Sequence, residues 1–324
     1  MGRRFLGALA LVMTLSLVGA ACAKSGGGDT TPPTTAATTA PTTAATTAPT
    51  TAATSGATSG ATSGATSGAT TAATSGPSIP PATTLKEGTL TVGSCLEYKP
   101  FEYRDKDGNL IGFDVEITEE IAKRMGLSGV TWVKAPFNTI FTALATGQKF
   151  DAVAAASTIK PDRLQIVDFS IPYYNSRQSF TVNETETPDI KSTDDLTPSD
   201  TVGVQKGTTG KDWAEENLGP KGIQIRTYDL VPNIFTDLEA GRIQGIINDE
   251  PSSLQEAQDR PGLKVVEPID TNEHYGIALD PNNPTLKPAV DAALQAIIAD
   301  GTYKQLFTKY FPTLPLPPEF APTG

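Results

Sequence analysis

The rhythm of apolar positions divides this chain. Phe5 to Val18 carries no charge and is mostly apolar; residues 24 to 84 hold almost no apolar side chain larger than alanine; from Leu85 onward apolar positions return in short periodic runs. Only the last part has the patterning of a packed fold. GTLTVGS (Gly88 to Ser94) alternates and then runs apolar, which predicts a strand. KDGN (Lys106 to Asn109) is a turn signal between Phe101–Tyr103 and Leu110–Phe113. From Asp114 the period becomes helical: Phe113, Ile117, Ile121 and Met125 share a face, and Gly126 stops the helix. Val130 to Ala135 predicts a strand, Asn138 to Ala145 a helix with Ile140, Phe141 and Leu144 inward, Phe150 to Ser157 a buried strand, and Pro161 the start of another helix. A second series follows: Thr201 to Gly207 as strand, Lys211 to Leu218 as helix, Ile223 to Tyr228 as strand, Val231 to Ala240 as helix, and Arg242 to Asp249 as strand. Residues 286 to 299 and 301 to 310 close the chain as helices. Alternation of this kind predicts an α/β fold with mostly parallel sheets covered by helices, and two series predict two lobes.

The early segments read as address and tether. Arg3 and Arg4 make a basic start, and the uncharged stretch leads to small residues before Cys22: a secretory signal layout, too short to span a bilayer. TTAATTAP then occurs twice from Thr34 to Pro49, and ATSG repeats from Ala53 to Gly68. Such a segment cannot bury enough surface to offset its ordering entropy, so residues 22 to 84 are expected to be a disordered linker. A coil of about 60 residues reaches on the order of 40 Å.

Composition narrows the chemistry. The net charge is −11 over 324 residues and no basic patch stands out, so no nucleic-acid partner is expected. One histidine, His274, and two cysteines, Cys22 and Cys95, exclude a disulfide framework and a Cys/His zinc site, and no cofactor is expected. In open α/β sheets, ligands bind beyond the carboxyl ends of strands and at helix N-termini. The residues there are Cys95 to Tyr98, Thr158 to Arg163, Gly207 to Gly210, and Asn248 to Pro251. Gly210-Lys211 lacks the upstream glycine and following Ser/Thr of a nucleotide-hydrolysing phosphate loop, since Gln205 and Asp212 stand there. What remains is a small-residue loop whose free N–H groups suit a carboxylate. Arg163 offers a guanidinium fork for a carboxylate, or a solvated surface charge. Asp249 offers a counter-charge for an ammonium, or a turn cap. Tyr98 and Phe137 are core, or cover a ligand's stem. Cys95 reads most simply as a small buried hydrophobe, and His274 as a residue of the lobe boundary.

Taken together, VGSCLEYKPFEYRDKDGNLIGFDVEITEEIAKRMG, FNTIFTALATGQKFDAVAAASTIKPDRLQIVDFSIPYY, VGVQKGTTG, IINDEP, YGIALDP and DGTYKQLFTKYF resemble the family 3 solute-binding proteins, the polar amino-acid receptors of ABC importers. The similarity covers nearly all of Leu85 to Phe311. It implies a type II periplasmic-binding fold, with residues 85–180 and 277–324 as lobe 1, 181–276 as lobe 2, and crossovers near Ser179 to Asn183 and Tyr275 to Leu279. It implies that Arg163 forks a ligand α-carboxylate, that Thr208 and Thr209 give it N–H groups, and that Asp249, the Ala156 carbonyl and the Thr158 hydroxyl receive the α-ammonium. Tyr98 and Phe137 would sandwich the ligand. GAAC, ending in Cys22, resembles a lipobox with Gly19 in place of leucine. That implies a signal peptide over 1–21, a lipid on Cys22, and a monomer held at the outer face of the cytoplasmic membrane, passing a polar amino acid to permease subunits. Many members have aspartate where Cys95 stands, which turns the expectation from a lysine, arginine or histidine binder toward a neutral amino acid such as glutamine. Lys160 stands in place of the usual Ser/Thr cap before Pro161. Two other classes share the fold: a cyclohexadienyl dehydratase-like lyase, for which Glu97 is the acid in reach, and a ligand sensor.

Overall fold

The computed structural model describes residues 78–323; the signal segment, Cys22 and the linker up to residue 77 lie outside the described residues. All described residues fall in one compact unit. Its elements in chain order are β1 (Thr89–Ser94), β2 (Tyr103–Arg104), β3 (Leu110–Ile111), α1 (Phe113–Arg124), β4 (Gly129–Lys134), α2 (Phe137–Ala145), β5 (Ala152–Val153), α3 (Pro161–Leu164), β6 (Asp168–Phe169), β7 (Tyr174–Asn183), β8 (Thr201–Gln205), α4 (Thr209–Asn217), β9 (Gln224–Tyr228), α5 (Val231–Glu239), β10 (Gly245–Asp249), α6 (Glu250–Asp259), β11 (Leu263–Tyr275), β12 (Ala278–Leu279), α7 (Leu286–Ala299) and α8 (Thr302–Tyr310).

The strands form two five-stranded sheets. The first has the order β4-β1-β5-β12-β6 and the second β11-β7-β10-β8-β9. In each, the strands of the predicted βα series pair in parallel: β1 with β4 and β5, β8 with β9 and β10. The helical stripe read from sequence is the buried one, with Phe113, Ile117 and Ile121 of α1 and Ile140, Phe141 and Leu144 of α2 inside. In the second series α5 buries Ile234, Phe235 and Leu238. Gly112, before α1, has φ 139°, and a Cβ there would lie 2.0 Å from the Phe101 carbonyl oxygen. Only glycine permits that approach, which presses the loop from Cys95 to Glu102 onto the start of α1.

The structure differs from the sequence reading in four places. Residues 78–84, assigned to the linker, lie on the body: Ile79 and Ala82 pack on its core, and the Thr83 N–H donates to Thr285 Oγ1 at 3.0 Å. Ile79 supplies there the apolar bulk that the repeats lack. The strand expected over Phe150 to Ser157 pairs only at Ala152–Val153; beyond it Ala156 takes φ 46° and its N–H donates to Asp114 Oδ2 at 2.7 Å. Helix α6 follows Asp249 directly, and Pro251 in its first turn suits that position. Finally, Ser179 to Asn183 do not cross between sheets. β7 pairs with β10 from Gln178 to Thr181 and with β11 from Tyr174 to Asn183. The chain thus passes between the sheets earlier, where Tyr174 and Ser176 face Tyr275 and Glu273.

Candidate functional site

Between the carboxyl ends of the two sheets lies a narrow cavity. Cys95, Tyr98, Phe137, Ala156, Thr158, Arg163, Thr208, Thr209 and Asp249, the residues singled out from sequence, all line it. They come from strand ends and helix starts separated by up to half the chain, and the fold brings them together.

Arg163 is positioned by the single turn of α3, whose Pro161 sits at the first helical place. Its side chain is buried and lies over the rings of Phe141 and Phe137, at 4.5 and 5.2 Å from their centroids. The guanidinium donates to the carbonyls of Thr158 (2.8 Å) and Gly207 (3.1 Å), the latter from the second series. Among the described residues it meets no carboxylate within ion-pair distance. Burial pulls its pKa below the ordinary arginine value, while Asp162, Asp249, Glu273 and Asp212 oppose that. A buried cation held only by carbonyls is unusual, because desolvation then has no compensating anion.

Thr208 is the N-cap of α4: its hydroxyl accepts from the Lys211 N–H at 3.1 Å and donates to the Gln205 carbonyl at 2.8 Å. Helix geometry leaves the first N–H groups of α4 without intrahelical partners. The Lys160 side chain, in place of a cap, makes an ion pair with Asp212 of α4 at 2.8 Å. Lys99 makes another with Asp259 of α6 at 2.7 Å. Both join the two sheet systems at the margins of the cavity.

Three acids in and beside the cavity, Glu273 and Glu102 buried and Asp249 half-buried, differ in how many protein donors they hold. Glu273 of β11 receives the hydroxyls of Thr158, Thr209 and Thr271 and the Gln178 amide. A carboxylate has about four lone-pair sites, so Glu273 is filled. Asp249 receives three donors: Tyr275 (2.6 Å), Tyr98 (2.7 Å) and the Gln178 amide (2.5 Å). One acceptor site remains. Burial and the charge of Glu273 push its pKa up to about 6, and the three donors hold it from rising further. Glu102 is fully buried; no partner meets its carboxyl in full hydrogen-bond geometry, the Ser94 hydroxyl beside it gives partial support, and burial with the charge of Asp114 pushes its pKa up. Cys95 sits nearby, its thiol pushed up by burial and by Glu102 and Glu97, which makes it an inert side chain. Glu97 is ion-paired with Lys134.

Sequence reasoning missed Gln178, Glu273 and Glu102. The first two lie inside long strands, not at strand ends. Glu102 stands four residues beyond Tyr98, the last residue of the first strand-end segment. His274 is exposed and its Nδ1 meets Asn175 Oδ1 at 2.8 Å, away from the cavity.

Comparison with known proteins finds a match to the family described as bacterial extracellular solute-binding proteins, family 3, over residues 90–313. A probable histidine-binding protein of Neisseria gonorrhoeae is 33% identical over 223 residues, covering 68% of this chain and 82% of its own. An ancestral arginine-binding protein solved with glutamine superposes with a TM-score of 0.65 at 33% identity, covering 70% of this chain and 99% of that one. The ancestral amino acid-binding protein AncCDT-1, described as a precursor of cyclohexadienyl dehydratase, gives a TM-score of 0.64 at 36% identity, covering 69% and 96%.

Proposed function

This chain belongs to the bacterial extracellular solute-binding proteins of family 3, and from that premise we propose that it captures one polar amino acid between its two sheet systems and presents it to an ABC permease. The carrying observation is the pairing of unmet charges across one cavity. Arg163, buried without a carboxylate, stands on the side of the first sheet; Asp249, half-buried with one acceptor site open, ends a strand of the second. A zwitterion supplies the missing partner to each. The guanidinium and the N–H groups starting α4 take the carboxylate; Asp249, the Thr158 hydroxyl and the Ala156 carbonyl take the ammonium. Tyr98 and Phe137 line the stem between them. Neither sheet system completes the clamp alone, so a bound amino acid favours the closed arrangement. We take β7 and β11 between the sheets as the hinge, which divides lobe 1 from lobe 2 near residues 174 and 275.

Cys95 in place of an acid supports a neutral guest such as glutamine. The sequence before residue 78 supports export and a lipid on Cys22; Cys22→Ser should then leave the protein in the soluble fraction, and its retention on membranes would oppose the anchor. The lyase reading relies on Glu97, whose carboxyl is paired with Lys134. Thermal melts with each of the twenty amino acids test the class. A ligand at a hundred times its Kd adds about 2.7 kcal/mol to folding, which raises the Tm of a protein this size by roughly 5–10 °C. At least one amino acid should do so; stabilisation by none, or turnover of a prephenate-like acid, would reverse the assignment.

A further inference from the structure

Resting on that reading of the cavity, we propose that Asp114, which does not itself line the cavity, is a positioning residue for the ligand's ammonium: it fixes the bend at Ala156 that turns this residue's carbonyl toward the guest. Asp114 lies in the first turn of α1 and has no exposed surface. One carboxyl oxygen accepts the Ala156 N–H at 2.7 Å, and the other accepts the Tyr173 hydroxyl at 2.7 Å. Burial pushes its pKa up to about 6, and what counters burial is these same two donors. An acid kept so deep without a cation is costly to the folded state. Neither of its two bonds belongs to a strand ladder or a helix turn.

The Ala156 bond sits where the backbone needs holding. Ala156 has φ 46°, in the left-handed region that an alanine enters at a cost. Upstream, the Ala154 N–H still donates to the Gly93 carbonyl of β1 at 3.2 Å. Downstream, the Ser157 carbonyl accepts the Gly276 N–H at 3.0 Å, and the Ile159 N–H donates to the His274 carbonyl at 2.8 Å, near the end of β11. Between Ala154 and Ser157 the chain therefore leaves the first sheet and joins the crossover strand, with Ala156 as the corner. The corner lines the cavity, and among the described residues nothing donates to its carbonyl. Without Asp114 the corner keeps its conformational cost and loses its tie, so the peptide relaxes and its carbonyl leaves the ammonium's place. The flanking bonds remain, and with them the Thr158 carbonyl that holds Arg163 at 2.8 Å. Loss of Asp114 thus falls on the ammonium and spares the carboxylate, as expected of a residue that supports one contact of a preorganised site.

The test is titration of the full-length protein with the amino acid that gives the largest thermal shift, and with the same acid lacking its α-amino group: glutaramate for L-glutamine, δ-guanidinovalerate for L-arginine. The ratio of the two affinities reads the ammonium contacts alone. Asp114→Ala should shrink that ratio about tenfold or more, through the amino acid, because a hydrogen bond to a charged group is at stake. Asp114→Ala also strands the Tyr173 hydroxyl, so Asp114→Ala/Tyr173→Phe, which removes both partners, should show the same effect in a protein that folds more readily. Tyr173→Phe alone keeps the Ala156 bond and should keep the wild-type ratio within about threefold. Asp114→Asn, whose amide oxygen still accepts the Ala156 N–H, should restore the ratio. In the wild type the Ala156 amide hydrogen should exchange slowly with solvent, as a buried bond requires. Rapid exchange there would overturn the proposal without any variant. So would an unchanged ratio in the alanine variants, an equal weakening of both ligands, or a collapsed ratio in Asp114→Asn. Absence of any amino-acid binding by the wild type would instead overturn the function on which the proposal rests.

Discussion

Arg163→Ala should abolish amino-acid binding, with a loss of roughly 10²- to 10³-fold or more in affinity. The magnitude follows from burial. Arg163 is 4% exposed, so a ligand carboxylate that reaches its guanidinium is desolvated along with it. Charge-assisted bonds formed there are worth far more than on a surface, and removing one partner strands the other. The fold should survive. The variant gives up the two bonds to Thr158 and Gly207 and the stacking on Phe137 and Phe141. It also removes a cation that the described protein leaves without an anion, which offsets part of that loss. Calorimetric titration and a melting curve on the same sample separate the two effects. Arg163→Lys should not restore binding, because an ammonium cannot reproduce the planar fork. Affinity retained within threefold in the alanine variant would mean that the carboxylate is held elsewhere.

Affinity should also fall about tenfold between pH 7 and pH 5. Asp249 titrates near 6 in the folded protein, above its ordinary carboxylate value, because it is buried beside Glu273. An ammonium binds its ionised form. Above pH 6 that form prevails and affinity is flat; below it, binding must displace a proton, and affinity drops by up to one logarithm per pH unit. At pH 5 roughly a tenth of the protein is ready, which gives the tenfold loss. Tyr98, Tyr275, Gln178, Glu273 and Glu102 surround this carboxyl. The tyrosines are pushed up in pKa and stay protonated throughout this range. Asp249→Asn should weaken binding by about a hundredfold at pH 7 and flatten the profile. A slope that persists in this variant would assign the titration to Glu102, whose pKa burial also raises.

The alternation of elements was legible because each helix announces one buried stripe and each strand a short apolar run. The cavity-lining residues were legible because α/β folds gather polar groups at strand ends: Thr208 and Thr209 follow β8, Asp249 ends β10, and Arg163 lies in the segment that follows β5. Glu273 and Gln178 were not. They lie within strands that run between the sheets, where an inward polar residue looks like an outward one, and their partners are far away in sequence, as in the Gln178–Glu273 contact. Glu102 carries no local mark of burial; its environment arises from Gly112, α1 and the strand ends closing over it. The extent of β7 was hidden for the same reason: nothing in the composition of Tyr174 to Asn183 marks that the second sheet's pairing begins at Tyr174 rather than near Ser179.

The crystal structure of the protein with its amino acid bound tests the account most directly. The ligand's carboxylate should lie on the Arg163 guanidinium and the start of α4, and its ammonium on Asp249, with both sheet systems closed on one molecule. A ligand contacting residues of only one sheet system, or seated outside this cavity, would contradict it.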